Sequence, residues 1–127
     1  MFVPRPILLA ITLCFTGASF AAPSAAGEAD VVDAEASRSG DAWRFEVTVR
    51  HDDEGWDHYA DRWDIVDPAT GKVLATRTLA HPHENEQPFT RSLGGVELPE
   101  GQKTVLIRAR DSEHGYGGIE VELELPE

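Results

Sequence analysis

Apolar residues recur at every second position in three stretches of the chain. Trp43, Phe45, Val47 and Val49 are interleaved with Arg44, Glu46, Thr48 and Arg50. Val105, Ile107 and Ala109 are interleaved with Leu106, Arg108 and Arg110, and Ile119, Val121, Leu123 and Leu125 with Glu120, Glu122 and Glu124. A period of two sends successive side chains to opposite faces of a strand, so each stretch predicts a half-buried β-strand. Shorter versions of the pattern predict strands at 31–37, 62–66, 72–79 and 89–93. The last continues toward Leu98 through a bulge at Gly94-Gly95. Turn chemistry separates them at Ser39-Gly40-Asp41, Asp67-Pro68-Ala69-Thr70-Gly71 and Pro99-Glu100-Gly101. No stretch sustains a helical period.

Seven short strands within about a hundred residues predict an all-β domain, a seven-stranded antiparallel β-sandwich of the immunoglobulin or fibronectin type III kind. The expected domain runs over 30–127, with Trp43 or Trp63 as its core aromatic. A partly open barrel is the alternative topology. The missing disulfide pair favours the fibronectin-like comparison.

Ahead of the domain, Arg5 followed by the mostly apolar run 7–20 and the small residues Ala18, Ser19, Ala21 and Ala22 reads as a signal peptide over 1–22. Small, polar residues at 23–29 read as a flexible leader. Periplasmic or secreted localisation follows. Cys14, the one cysteine, lies inside the apolar run and is preceded by Leu13, so a non-lipidated product is expected. A mature chain without thiol has no disulfide, no thiolate metal site and no cysteine nucleophile. The formal net charge of −12 repels phosphate backbones and anionic headgroups, so neither nucleic-acid binding nor membrane insertion is expected.

The turns at 39–41, 67–71 and 99–101 carry no histidine. The alternate connections, 51–61, 80–88 and 111–118, hold all five: His51, His58, His81, His83 and His114. In an antiparallel sandwich alternate connections emerge at one end, so the imidazoles are expected to gather at one pole. Strand parity then points His51, Asp61 and Asp111 toward the interior of that pole, as a polar network or as residues that orient ligands. Proline in His81-Pro82-His83 sets both imidazoles on one side of an extended segment. His58, His81, His83 and His114, with Glu86, are therefore the candidate metal ligands. Imidazole and carboxylate donors suit zinc or copper(II). Trp56, Tyr59 and Tyr116 are candidate contacts for a peptide, glycan or protein partner, the reading in which the same loops bind without metal. A loop tryptophan packed over the end of the core is the plainer alternative for Trp56. Arg91 is expected to pair with an acid of the pole. Ser112 and His114 are too close in sequence for a nucleophile–base pair, which makes an enzyme the weaker reading.

Three strings, G-W-D-H-Y-A-D at 55–61, H-P-H-E-N-E-Q-P-F-T-R-S-L at 81–93 and D-S-E-H-G-Y-G-G at 111–118, together resemble a family of small exported bacterial proteins of uncharacterised function. The resemblance implies an exported, sandwich-like domain and brings no catalytic residue with it. More loosely, the architecture is similar to periplasmic copper-handling sandwiches. Their methionine-rich or N-terminal histidine ligands are missing here, Met1 being the one methionine.

Overall fold

The computed structural model describes residues 27–126; the expected signal peptide and most of the leader lie outside them. Seven strands follow in chain order: β1 (Asp30–Ser39), β2 (Ala42–Arg50), β3 (Ala60–Val66), β4 (Val73–Thr78), β5 (Phe89–Val96), β6 (Thr104–Asp111) and β7 (Val121–Glu124). All pairings are antiparallel. One sheet has the order β1-β2-β5 and the other β4-β3-β6-β7, so the expected seven-stranded sandwich is the architecture. β4 hydrogen-bonds to β3, which gives a three-plus-four division of the strands rather than the constant-type immunoglobulin division.

The alternating rows meet between the sheets. Phe45, Val47 and Val49 of β2 are fully buried, as are Trp63 and Ile65 of β3, Val105 and Ile107 of β6, and Phe89 of β5. Each such side chain contributes about 1.5–3 kcal/mol by leaving water, and together they define the core. Both core candidates are buried, Trp63 completely and Trp43 at the margin. The pairing of β2 with β5 steps two residues from Phe45 to Trp43 against three from Leu93 to Val96. The extra residue falls at Gly94-Gly95, where the bulge was expected, and Gly95 takes φ +65°.

Two details depart from the sequence reading. Ala29, assigned to the leader, is 1% exposed and belongs to the core cluster. The start of β1 is fastened to the loop before β7: the Val31 amide donates to the Ile119 carbonyl (2.8 Å) and the Ile119 amide to Asp30 (2.7 Å). Gly118 permits this approach, because a Cβ there would collide with the backbone of Ala29. The second departure concerns Asp61. The β3–β6 pairing shifts register between Ala60 and Arg62, and the irregularity puts Ala60, not Asp61, in the inward row. Asp61 instead pairs with Arg110 (2.5 Å), beside the outer face of the sheet, away from the interior of the pole.

Candidate metal centre

Inward rows that run past the end of the apolar core end in polar groups. Beyond Val47 and Val49 on β2 comes His51, 2% exposed; beyond Ile107 and Ala109 on β6 comes Asp111, 0% exposed. The connection between β2 and β3 makes a single 3-10 turn at Gly55–Asp57 and brings His58 back over the same point, 7% exposed. His51, His58 and Asp111 each offer one ligand atom, and these atoms lie within 4.8 Å of one another, the one such group of three among the described residues. His51 Nε2 stands 3.2 Å from His58 Nε2. Asp111 Oδ1 is 3.4 Å from His58 Nε2, and Asp111 Oδ2 is 3.9 Å from His51 Nε2. His114, more exposed, brings Nδ1 to 3.2 Å from Asp111 Oδ2, and its ring meets that of His58 edge-on at 4.9 Å. The Gly27 carbonyl oxygen faces all three imidazoles, 2.9 Å from His51 Nε2, 3.0 Å from His58 Nε2 and 2.9 Å from His114 Nδ1.

Behind His51 sits Asp53, whose side chain is fully buried. Its Oδ1 lies 2.5 Å from His51 Nδ1 and accepts from the Ala60 amide (3.1 Å), while Oδ2 accepts from the His83 amide (2.6 Å). An acceptor at Nδ1 fixes the neutral ring with its proton on Nδ1 and its lone pair on Nε2, pointing into the centre. Burial disfavours a charged His51, but hydrogen bonds to Asp53 and Gly27 and the charges of Asp53 and Asp111 outweigh it and raise its pKa above the ordinary value. The same partnership works in reverse on Asp53. Burial would raise its pKa, but the bonds from His51, His83 and Ala60 bring it below the usual carboxylate range. For His114 the small burial penalty is overcome by the Gly27 carbonyl and by Asp111, and its pKa is raised.

In its neutral form, with Nδ1–H directed at Asp53, His51 presents a lone pair toward Gly27 O and His58 Nε2, and Asp111 adds a carboxylate; in its protonated form Nε2–H donates to the Gly27 carbonyl. Such a cage is neutralised either by extra protons or by a cation, and imidazole with carboxylate is a first-row transition-metal donor set. Outside it a cavity of about 230 Å³ is lined by Gly27, Asp52, Glu54, His58, Glu113 and His114, so the mouth is acidic and attracts cations.

Of the expected ligands, the structure brings His58 and His114 to this centre and keeps His81, His83 and Glu86 apart from it. His51 and Asp111, expected to orient ligands, themselves belong to the group that could hold an ion. Proline does set His81 and His83 side by side, with ring centroids 4.6 Å apart. His83, however, is buried against Phe89, stacked at 4.0 Å, and neither of its ring nitrogens makes a hydrogen bond, Nδ1 standing 4.0 Å from Asp53 Oδ2. Burial and the nearby positive charges of Arg91 and His81 lower its pKa and keep it neutral. His81 bonds to its neighbouring Pro82 carbonyl (3.0 Å). Glu86 and Arg91 form the expected ion pair (3.1 Å). Trp56 stands 67% exposed, edge-on to Tyr59, so it does not cover the core. Tyr116 lies elsewhere, on the outer face of the sheet, where its hydroxyl donates to Asp64 and accepts from Arg62 (3.1 Å) and Arg108 stacks on its ring. The Ser112 hydroxyl accepts from the Tyr59 amide (3.1 Å) and ties two loops together.

Two participants escaped the sequence reading. Asp53 follows His51 by two residues, a spacing that offers a carboxylate to a histidine and was open to notice. Gly27 carries no side chain, and nothing in its neighbourhood of small residues marks it.

No established protein family matches the chain. A protein of Halomicrobium mukohataei described as "Putative lipoprotein" is 48% identical over 92 residues, which make up 72% of this chain and 44% of that protein. The chain therefore spans less than half the length of this relative. Among solved structures, a superoxide reductase from Nanoarchaeum equitans superposes with a TM-score of 0.50 at 17% identity, covering 76% of this chain and 91% of that one. A superoxide reductase from Archaeoglobus fulgidus gives 0.47 at 15% identity over 76% and 89%. At 17% identity the likeness to the Nanoarchaeum equitans structure speaks for the β-sandwich fold alone.

Proposed function

We propose that this protein is an exported metal-binding β-sandwich that holds a divalent first-row transition ion through His51, His58 and Asp111, with His114 at the rim. The observation that carries the reading is the convergence of buried lone pairs on one point, with Asp53 fixing the tautomer of His51. A carboxylate behind a ligating imidazole is the arrangement that raises ligand basicity in metal sites. Zinc and copper(II) suit the donors. Iron suits them as well, and the sandwich shared with a superoxide reductase makes one-electron chemistry at an iron-loaded centre worth assaying. Export is supported by the leader-like pattern at 1–22 and by the lipoprotein named among the relatives. Whether Cys14 carries lipid is read from the mass of the mature protein.

Calorimetric titration of tag-free protein with zinc and copper(II) tests the reading. Wild type is expected to bind one equivalent, and the His51→Ala/His58→Ala variant to bind at least about tenfold more weakly. Equal binding by the two would end the proposal. A second reading, a metal-independent interaction module, has one observation in its favour. Trp56 projects into solvent beside a groove of about 450 Å³ lined by Gly55, His81, Pro82, Glu84 and Asn85. It predicts partner binding that survives chelation and is lost in Trp56→Ala.

A further inference from the structure

The Gly27 carbonyl has no side-chain chemistry behind it, yet imidazoles crowd it from three sides. Three imidazole nitrogens lie 2.9, 3.0 and 2.9 Å from its oxygen. A carbonyl oxygen has two lone pairs and cannot accept from three donors at full strength. Even with a proton on His51 Nε2, hydrogen bonding therefore does not account for all three contacts at once.

Metal coordination does. Donors bound at about 2.0–2.2 Å to one ion lie roughly 3 Å from one another when adjacent. The distances from Gly27 O, the 3.2 Å between His51 and His58, and the 3.4 Å between His58 and Asp111 have this size, while His51 and Asp111 stand wider apart at 3.9 Å. We infer that the Gly27 backbone carbonyl oxygen is itself a ligand of the metal ion, completing the donor set of His51, His58 and Asp111. The inference rests on the metal-binding reading above.

The chain is built to deliver this oxygen. Ala29 is packed in the core, Asp30 and Val31 are bonded to Ile119, and Gly118 gives the space for that contact. Gly27 takes φ +123°, a conformation disfavoured for residues with a Cβ, and a Cβ there would stand 2.5 Å from His114 Cε1. The segment ahead of β1 is thus both anchored and aimed. A carbonyl and a carboxylate beside two imidazoles make the centre harder than an all-imidazole one and favour divalent ions over copper(I).

Cobalt(II) titration of the mature chain tests the inference, with the variants His114→Ala and His114→Ala/Gly27→Val. The His114→Ala background removes the side chain whose atoms stand nearest the new Cβ, and valine, which does not hold φ +123°, turns the carbonyl out of the centre. In that background Gly27→Val is expected to weaken cobalt binding by about tenfold or more, at least the effect of losing a partner behind a ligand. A smaller loss of affinity overturns the inference while leaving the metal site standing. A wild-type chain that takes up no cobalt overturns the metal reading itself, and this ligand with it. Should Gly27→Val fail to fold, a His114→Ala chain beginning at Ala29 replaces it under the same criterion.

Discussion

At the scale of single residues, Asp53 decides the character of the centre. Its two oxygens serve His51, Ala60 and His83, so Asp53→Asn disturbs three bonds at once in a buried place. Metal affinity is expected to fall about 10–100-fold, the usual effect of removing such a partner. The metal-free protein is expected to lose about 1–3 kcal/mol in a denaturant titration. The pH dependence follows from the same pair. The pKa of His51 is raised in the folded protein, so its protonation stabilises the metal-free fold fully below 6.5, the ordinary value, and that contribution is lost as pH rises through the raised pKa. The pKa of Asp53 is lowered, so its contribution is present above 3.8 and is lost as pH falls through the lowered pKa. Stability of the metal-free protein should therefore decline above pH 6.5 in wild type and change less there in Asp53→Asn, as denaturant midpoints across pH will show. Metal affinity should move the opposite way, rising with pH as the ion displaces protons from the imidazoles.

At the scale of elements, the loops of the pole are joined by side chains. Gln87 accepts from the His51 amide and donates to the His83 carbonyl (3.0 and 2.9 Å), and Ser112 joins the β6–β7 loop to Tyr59. His83 contributes stacking on Phe89 but leaves two buried nitrogens without a hydrogen bond. Replacing it by an apolar side chain of similar size removes that desolvation cost. His83→Leu should be neutral or stabilising by up to about 1 kcal/mol in thermal unfolding, with metal affinity unchanged. A loss of metal binding in this variant would return His83 to the list of ligands. The strand pattern was legible in the sequence because a sandwich core enforces a period of two. All seven predicted stretches contain a strand, and the parity of the loops put the histidine-bearing connections at one end. The bulge at Asp61 was not legible. It is a defect in the pairing of β3 with β6, and the run Ala-Asp-Arg-Trp carries no glycine or proline to announce it.

At the scale of the molecule, a centre fastened to β2, β6, the β2–β3 connection and the chain ahead of β1 should link metal binding to global stability. An ion at about 100 times its Kd is expected to stabilise the folded state by about 2.7 kcal/mol. A rise in melting temperature on zinc addition, reversed by chelator and absent in His51→Ala/His58→Ala, checks this. The sequence by itself determined the two-residue period, the seven strands, the pole to which the imidazoles belong and the absence of thiolate from the domain. Those properties follow from local alternation and from the parity of antiparallel connections. Only the tertiary structure decided which imidazoles converge. His58 and His114 reach the mouth of the core, while His83 is diverted onto Phe89 and His81 onto its own backbone, outcomes set by packing between loops distant in sequence. The same packing brought Asp53 behind His51 and placed the carbonyl of Gly27, a residue with no side chain to reveal it, among the three rings.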